Sequence, residues 1–194
     1  MNYYISDLHF GHENILRHNA NNGGKRFESI EEYNELLIKN WNNVVTPSDN
    51  VYILGDFSWL TPQETLEILK QLKGAKFLVK GNHDKFAKDG ACKKQFQGIY
   101  DYHMINDNGR TVVLSHYPIM MWNGQHRGSI HLYGHTHNSV EHDLFQNYLK
   151  QLNEHYKDER ANFNAKAYNV GCMMEYMQYT PRTLEEIIKM TETR

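Results

Sequence analysis

Cysteine and proline are both scarce in this chain, with two and four residues among 194. Cys92 and Cys172 match no zinc or redox spacing, and they read as two thiols of a reduced compartment rather than as a disulfide. There is no internal repeat, low-complexity tract or Gly/Ser/Pro linker, so one domain over residues 1–194 is expected. No apolar run approaches membrane-spanning length. No charge of one sign dominates: a net charge of -2 produces no overall positive field for duplex nucleic acid or a membrane surface. The first candidate strand begins at Asn2, which leaves no room for a signal peptide, and a cytoplasmic location is expected.

What the chain does have is histidine, twelve of them. A scatter of surface and core-edge side chains accounts for His18, His103, His142 and His155. It does not account for the other histidines that recur where apolar runs end. Tyr3-Tyr4-Ile5 leads to Asp7-Leu8-His9, and Val51-Tyr52-Ile53-Leu54 leads to Gly55-Asp56. Phe77-Leu78-Val79 leads to Gly81-Asn82-His83-Asp84, and Val112-Val113-Leu114 leads to His116. Ile130-His131-Leu132-Tyr133 leads to Gly134-His135-Thr136-His137. Five clusters of carboxylate, amide and imidazole at strand ends gather divalent-metal ligands at one rim of a sheet. Asp7 and His9 stand at i and i+2, as do His135 and His137, a spacing that points both side chains of an extended pair to one face. Asp56 has an oxygen for each of two metals if its carboxylate bridges. Glycines 55, 81 and 134 let the chain turn and keep the rim open.

Helix signals separate the strands. Ser29 with Glu32, Thr61 with Glu64 and Thr183 with Glu186 each spell a capping box. Tyr33, Leu36, Leu37 and Trp41 form one apolar face, Leu66, Leu69 and Leu72 another, and Gly74 is placed to end the second helix. The alternation predicts an α/β fold with a mainly parallel sheet in the first part. Later, strands over 100–105 and 110–114 flank Asn106-Asp107-Asn108-Gly109, a hairpin signal, and 167–170 makes a further strand, so the second half reads as more antiparallel or mixed. Residues 141–160 carry Phe145, Tyr148, Leu149, Leu152 and Tyr156 at helical spacing. This excursion reads as a helix on the domain's flank, with a lid or a homodimer surface as the alternatives.

The ordered set D-x-H, G-D, G-N-H-D, H and G-H-x-H resembles the calcineurin-like metallophosphoesterase superfamily over residues 3–137. Asn169-Val170-Gly171 is similar to that family's last core strand, and Asp7–Ile15 resembles its small bacterial and phage branch. The resemblance implies a two-sheet β-sandwich flanked by helices, in four layers α/β/β/α. It implies two divalent ions (Mn, Fe, Ni or Zn, with Mn favoured), the first on Asp7, His9, Asp56 and His137 and the second on Asp56, Asn82, His116 and His135. It implies hydrolysis of phosphodiesters or phosphomonoesters by metal-bound hydroxide. His83 would then act as general acid with Asp84 orienting its ring. The family's G-D-x-x-D-R continuation is absent, since Phe57-Ser58-Trp59-Leu60 follows Asp56, which argues against a role like that of the protein Ser/Thr phosphatases.

Substrate contacts are expected from His12, Arg26, Trp59 and Arg127, each with a plain alternative. His12 also reads as a helix-start residue. Arg26, with Lys25, follows the glycine-bearing stretch Asn21–Gly24 and also reads as a solvated charge. Trp59 either stacks on a nucleobase or packs in the core. Arg127 lies between two ligand motifs, beside His126, and Met120-Met121-Trp122 either floors a base pocket or packs under the sheet edge. The expected partner is a small phosphate ester, including nucleotides. A catalytically silent scaffold of this fold and a nuclease on short nucleic acids are the competing functions; the intact ligand set argues against the first.

Overall fold

The computed structural model describes residues 1–21, 25–157 and 163–192. Residues 22–24 of the glycine-bearing stretch and 158–160 of the expected excursion lie outside them, as does the side chain of His18. β1 (Asn2–Ile5), β2 (Asn50–Ile53), β3 (Ala75–Val79) and β4 (Phe96–Tyr100) run parallel in the order β4-β3-β2-β1. α1 (Asn14–Asn21) and α2 (Ile30–Val44) fill the crossover from β1 to β2; α3 (Pro62–Gln71) fills that from β2 to β3, and the short α4 (Gly90–Lys93) precedes β4. A second sheet, ordered β5-β6-β7-β8, follows: β5 (Tyr102–Asp107), β6 (Arg110–Ser115), β7 (Ile130–Tyr133) and β8 (Lys166–Asn169). α5 (Val140–Tyr156) joins β7 to β8. β9 (Arg182–Thr183) returns antiparallel to β1, and α6 (Leu184–Glu192) ends the described chain.

Alternation along the strands stacks the layers. The Tyr3 hydroxyl reaches out to the Val44 carbonyl at the end of α2, while Tyr4 turns inward and donates to Asp107 of the second sheet, at 2.7 Å. Tyr4, Tyr52 and Phe77 form a stacked row on that inner face. In β6 and β7, Val112, Leu114, Ile130 and Leu132 join the main core, whereas Val113 and Tyr133 pack outward with Phe145 and Leu149 of α5. Helices, sheet, sheet and helix are the four expected layers.

The structure corrects the reading of several elements. Residues 100–105 are not one strand: Tyr100 closes β4 in one sheet and Tyr102 opens β5 in the other. Asp101, ion-paired to Lys80 at 2.7 Å, marks the change of sheet. The second sheet is mixed, one of the two arrangements expected: β5 and β6 pair antiparallel, and β6, β7 and β8 are parallel. Asn108 (φ 51) and Gly109 (φ 84) form the two-residue hairpin between β5 and β6. The Thr61 and Thr183 boxes form in full. At Ser29 only half does, because Glu32 reaches back to the amide of Glu28 rather than to Ser29. Gly74 (φ 85) lies beyond the helix end, where a Cβ would meet Val45 at 2.8 Å.

Candidate metal centre

The ligand-type residues follow the C-terminal ends of β1, β2, β3, β6 and β7, and the two sheets meet there. Ser6 ties the seam: its amide donates to Val170 (2.8 Å), its carbonyl accepts from Cys172 (2.8 Å), and its hydroxyl lies 2.8 Å from Asp7 Oδ2. The side chains converge through backbone curvature, not through strand alternation. Asp7 (φ 55), His9 (φ 47), Asp56 (φ 52), His135 (φ 66) and His137 (φ 47) all occupy the left-handed region. Such residues cost on the order of 1–3 kcal/mol each and cluster at functional sites. Asp7 and His9 do come together, but through left-handed backbone rather than as side chains of one extended strand face. Gly134 and Gly81 are needed for space: a Cβ at Gly134 would collide with Ser6 Oγ and lie 2.6 Å from Asp7 Oδ2, and one at Gly81 would collide with Asp56 Oδ1.

Two groups could each hold a cation: Asp7, His9 and His137, and Asp56, His116 and His135. In the first, the Nε2 atoms of His9 and His137 are 3.1 Å apart, and Asp7 Oδ1 is 3.7 Å from His137 Nε2. In the second, His116 Nε2 faces Asn82 Oδ1 at 3.0 Å and Asp56 Oδ2 at 3.6 Å. His9 Nε2 is 4.0 Å from the same Asp56 Oδ2, so one oxygen addresses both groups, not one oxygen each. Oδ1 is engaged by the amide of His83 (3.0 Å).

The donor set fits a cation best in the second group. His116 donates its Nδ1–H to the Leu54 carbonyl at 2.7 Å, which leaves a lone pair on Nε2. That lone pair, an amide oxygen and a carboxylate oxygen are three acceptors turned toward one another, an arrangement that a positive ion resolves. Burial raises the Asp7 carboxyl to about 6, with Asp56 adding to the rise and His116 opposing it. Burial also drives His9 far below the usual histidine range, helped by His137, and it lowers His135, helped by His116. A cation at the centre reverses the cost of holding the aspartates charged.

The remaining expected residues divide. Asp84 does not orient His83. Its oxygens accept from the amides of Asp56 (3.0 Å), Phe57 (2.8 Å) and Gly81 (2.7 Å), bracing the two loops, while burial raises its carboxyl. His83 packs on Trp59 instead, ring centroids 4.3 Å apart, and His12 stacks on the same indole at 4.0 Å. Trp59 nevertheless remains 45% exposed, so it does not pack in the core. Arg127 is at the wrong end: it lines a cavity of about 290 Å³ with Gly109, Arg110 and Thr111, at the N-terminal edge of β6 and β7. Arg26 is exposed, and no described contact joins it to the ligand residues; Lys25 pairs with Glu32 at 3.8 Å. Trp122 is buried, but Met120 and Met121 are exposed.

Two contributors escaped sequence reasoning. Asn169 holds the 136–137 loop through Thr136 Oγ1 (3.2 Å) and the His137 carbonyl (2.9 Å). Tyr117 donates to Asn82 Oδ1 (3.3 Å) and packs edge-on against His135. Tyr117 adjoins His116 in sequence, and Asn169 stands in the Asn169-Val170-Gly171 segment, but neither residue type announces these contacts.

A family model for calcineurin-like phosphoesterases matches residues 3–167. The chain belongs to the calcineurin-like phosphoesterase family. It is 33% identical to an uncharacterized protein of Methanocaldococcus jannaschii, covering 98% of this chain and 90% of that one. It is 29% identical to the gene 66 protein of Mycobacterium phage L5, over 71% of this chain and 78% of the phage protein. Among solved structures, the protein of unknown function AQ665 from Aquifex aeolicus superposes with a TM-score of 0.71 at 30% identity, covering 97% and 98% of the two chains. No helix among the described residues of this calcineurin-like chain is long and apolar enough to cross a membrane.

Proposed function

We propose that this protein is a divalent-metal-dependent phosphoesterase acting on small phosphodiesters or phosphomonoesters. The observation that carries the reading is the shared Asp56 Oδ2, 4.0 Å from His9 and 3.6 Å from His116, between two ligand groups. When bound, a pair of divalent ions lowers the pKa of water and clamps the phosphate oxygens. Asp7, His9, Asp56 and His137 would hold one ion, and Asp56, Asn82, His116 and His135 the other. The chain's own groups do the rest. Asp84 fixes the 55–57 and 81 loops, so that Asp56 and Asn82 keep their separation. His83, half-buried beside the centre with its amide on Asp56 Oδ1, supplies the proton to the leaving oxygen. Tyr117 holds the Asn82 oxygen toward the centre.

The metal-free protein loaded with Mn(II) should hydrolyse bis-(p-nitrophenyl) phosphate, p-nitrophenyl phosphate or both, and chelation should abolish the turnover. No turnover on either ester across Mn, Fe(II), Ni and Zn would point to a binding scaffold instead. The ratio of the two rates assigns the diester or monoester class.

A further inference from the structure

Trp59 is tied to three histidines at once. Its indole N–H donates to His9 Nδ1 at 3.0 Å, and its ring packs against those of His12 and His83. Its backbone is anchored separately, by an amide hydrogen bond to the Phe10 carbonyl at 2.9 Å. An indole N–H can only donate, so the nitrogen that receives it carries a lone pair. The proton of a neutral His9 ring therefore stands on Nε2. That is the nitrogen facing His137 Nε2 at 3.1 Å and Asp56. A ligand needs a lone pair at that position. His116 has the opposite arrangement, with the Leu54 carbonyl holding its proton on Nδ1 and leaving Nε2 ready.

We infer that Trp59 competes with a cation for His9: the indole holds the ring in the tautomer that cannot ligate, and filling the first group releases the indole. This rests on the two-cation reading given above. Protons balance, because His9 carries one N–H in each state; it gives up the Nε2 proton to solvent and takes one at Nδ1. The released indole has lost its acceptor and is no longer held against His12 and His83. Filling of the Asp7–His9–His137 group and the freeing of the His83 ring are thus one event. The Asp56–His116–His135 group, with no such competitor on His116, fills first.

The test is a Zn(II) titration of the metal-free protein, read by calorimetry and by the indole N–H signals in ¹H–¹⁵N spectra. Trp41 and Trp122 donate to the carbonyls of Lys73 (2.9 Å) and Ser129 (3.1 Å), away from the ligand residues, and serve as internal references. The expected result is that the second equivalent of zinc moves the Trp59 signal and leaves the other two in place. Trp59→Phe keeps an aromatic ring beside His12 and His83 but lacks the N–H. It should bind the weaker equivalent about 3–10-fold more tightly, the value of one neutral hydrogen bond, with the tighter equivalent unchanged. An unmoved Trp59 signal, or equal or weaker zinc affinity in Trp59→Phe, overturns the inference. A wild-type protein that binds fewer than two equivalents overturns the two-cation reading itself, and the inference with it.

Discussion

The two halves of the centre treat their histidines differently. In the Asp56 half, the nitrogen of His116 that faces away from the centre meets a backbone carbonyl, and the ring presents a lone pair inward. In the Asp7 half, the corresponding nitrogen of His9 meets an indole N–H, and the ring presents a proton inward. Both residues are buried and both follow a core strand. The difference lies one contact further out, where a carbonyl or an indole decides which tautomer the site receives. His131 completes the series. It donates from Nδ1 to Val113 and accepts at Nε2 from the Ile119 amide, so both nitrogens are spent on backbone and none is left for a ligand.

The largest perturbation removes what the halves share. Asp56→Asn should lose cation from both groups and reduce turnover to background, whereas His137→Ala should lose only the cation of the Asp7 half; metal analysis after gel filtration distinguishes them. Equal metal loss in the two variants would show that the halves are not separable. Next, His83→Ala should retain both cations and lose about 10²–10⁴-fold in kcat, the span of general acid catalysis. Metal loss in that variant would move His83 into one of the halves.

A smaller effect tests the third histidine. Burial lowers His131 to about 4, opposed by its backbone contacts. Its ordinary value of about 6.5 describes the unfolded chain. A depressed histidine stabilises the fold above pH 6.5, and that contribution is lost as pH falls toward 4, up to roughly 3 kcal/mol. Denaturant unfolding at pH 7 and pH 4.5 should therefore show a steeper loss in wild type than in His131→Asn. Parallel slopes would remove His131 from the series. The smallest effect is expected at Arg127, at the opposite end of the second sheet: Arg127→Ala should change kcat/KM by less than about twofold, as for an isolated surface substitution. A larger fall would mean that the cavity beside Arg110 communicates with the centre.

The sequence by itself determined the strand-helix alternation around the first three ligand motifs and the membership of the rim. β-branched and aromatic runs ended in carboxylate, amide and imidazole five times, because strand ends are where a parallel sheet can present polar groups without burying them unpaired. The capping boxes at Thr61 and Thr183 were equally legible, since three-residue spacing along a helix start is local chemistry. Only the tertiary structure decided how the rim is wired. The left-handed backbone at Asp7, His9, Asp56, His135 and His137 goes with loop-to-loop contacts, the amides of Asp7 and His9 donating to the carbonyls of Gly55 and Asp56 and Gly134 packing on Ser6, and nothing in the residue types announces it. Asp84 follows His83 in sequence, yet it serves the amides of Asp56, Phe57 and Gly81, because buried N–H groups across the loop need an acceptor. Arg127 stands between two ligand motifs in the chain and at the far edge of the sheet in space, since the strand of residues 130–133 must be traversed before the rim is reached. Tautomers belong to the same class: they depend on which long-range neighbour meets the second nitrogen, a contact that spans 50 residues for Trp59 and His9.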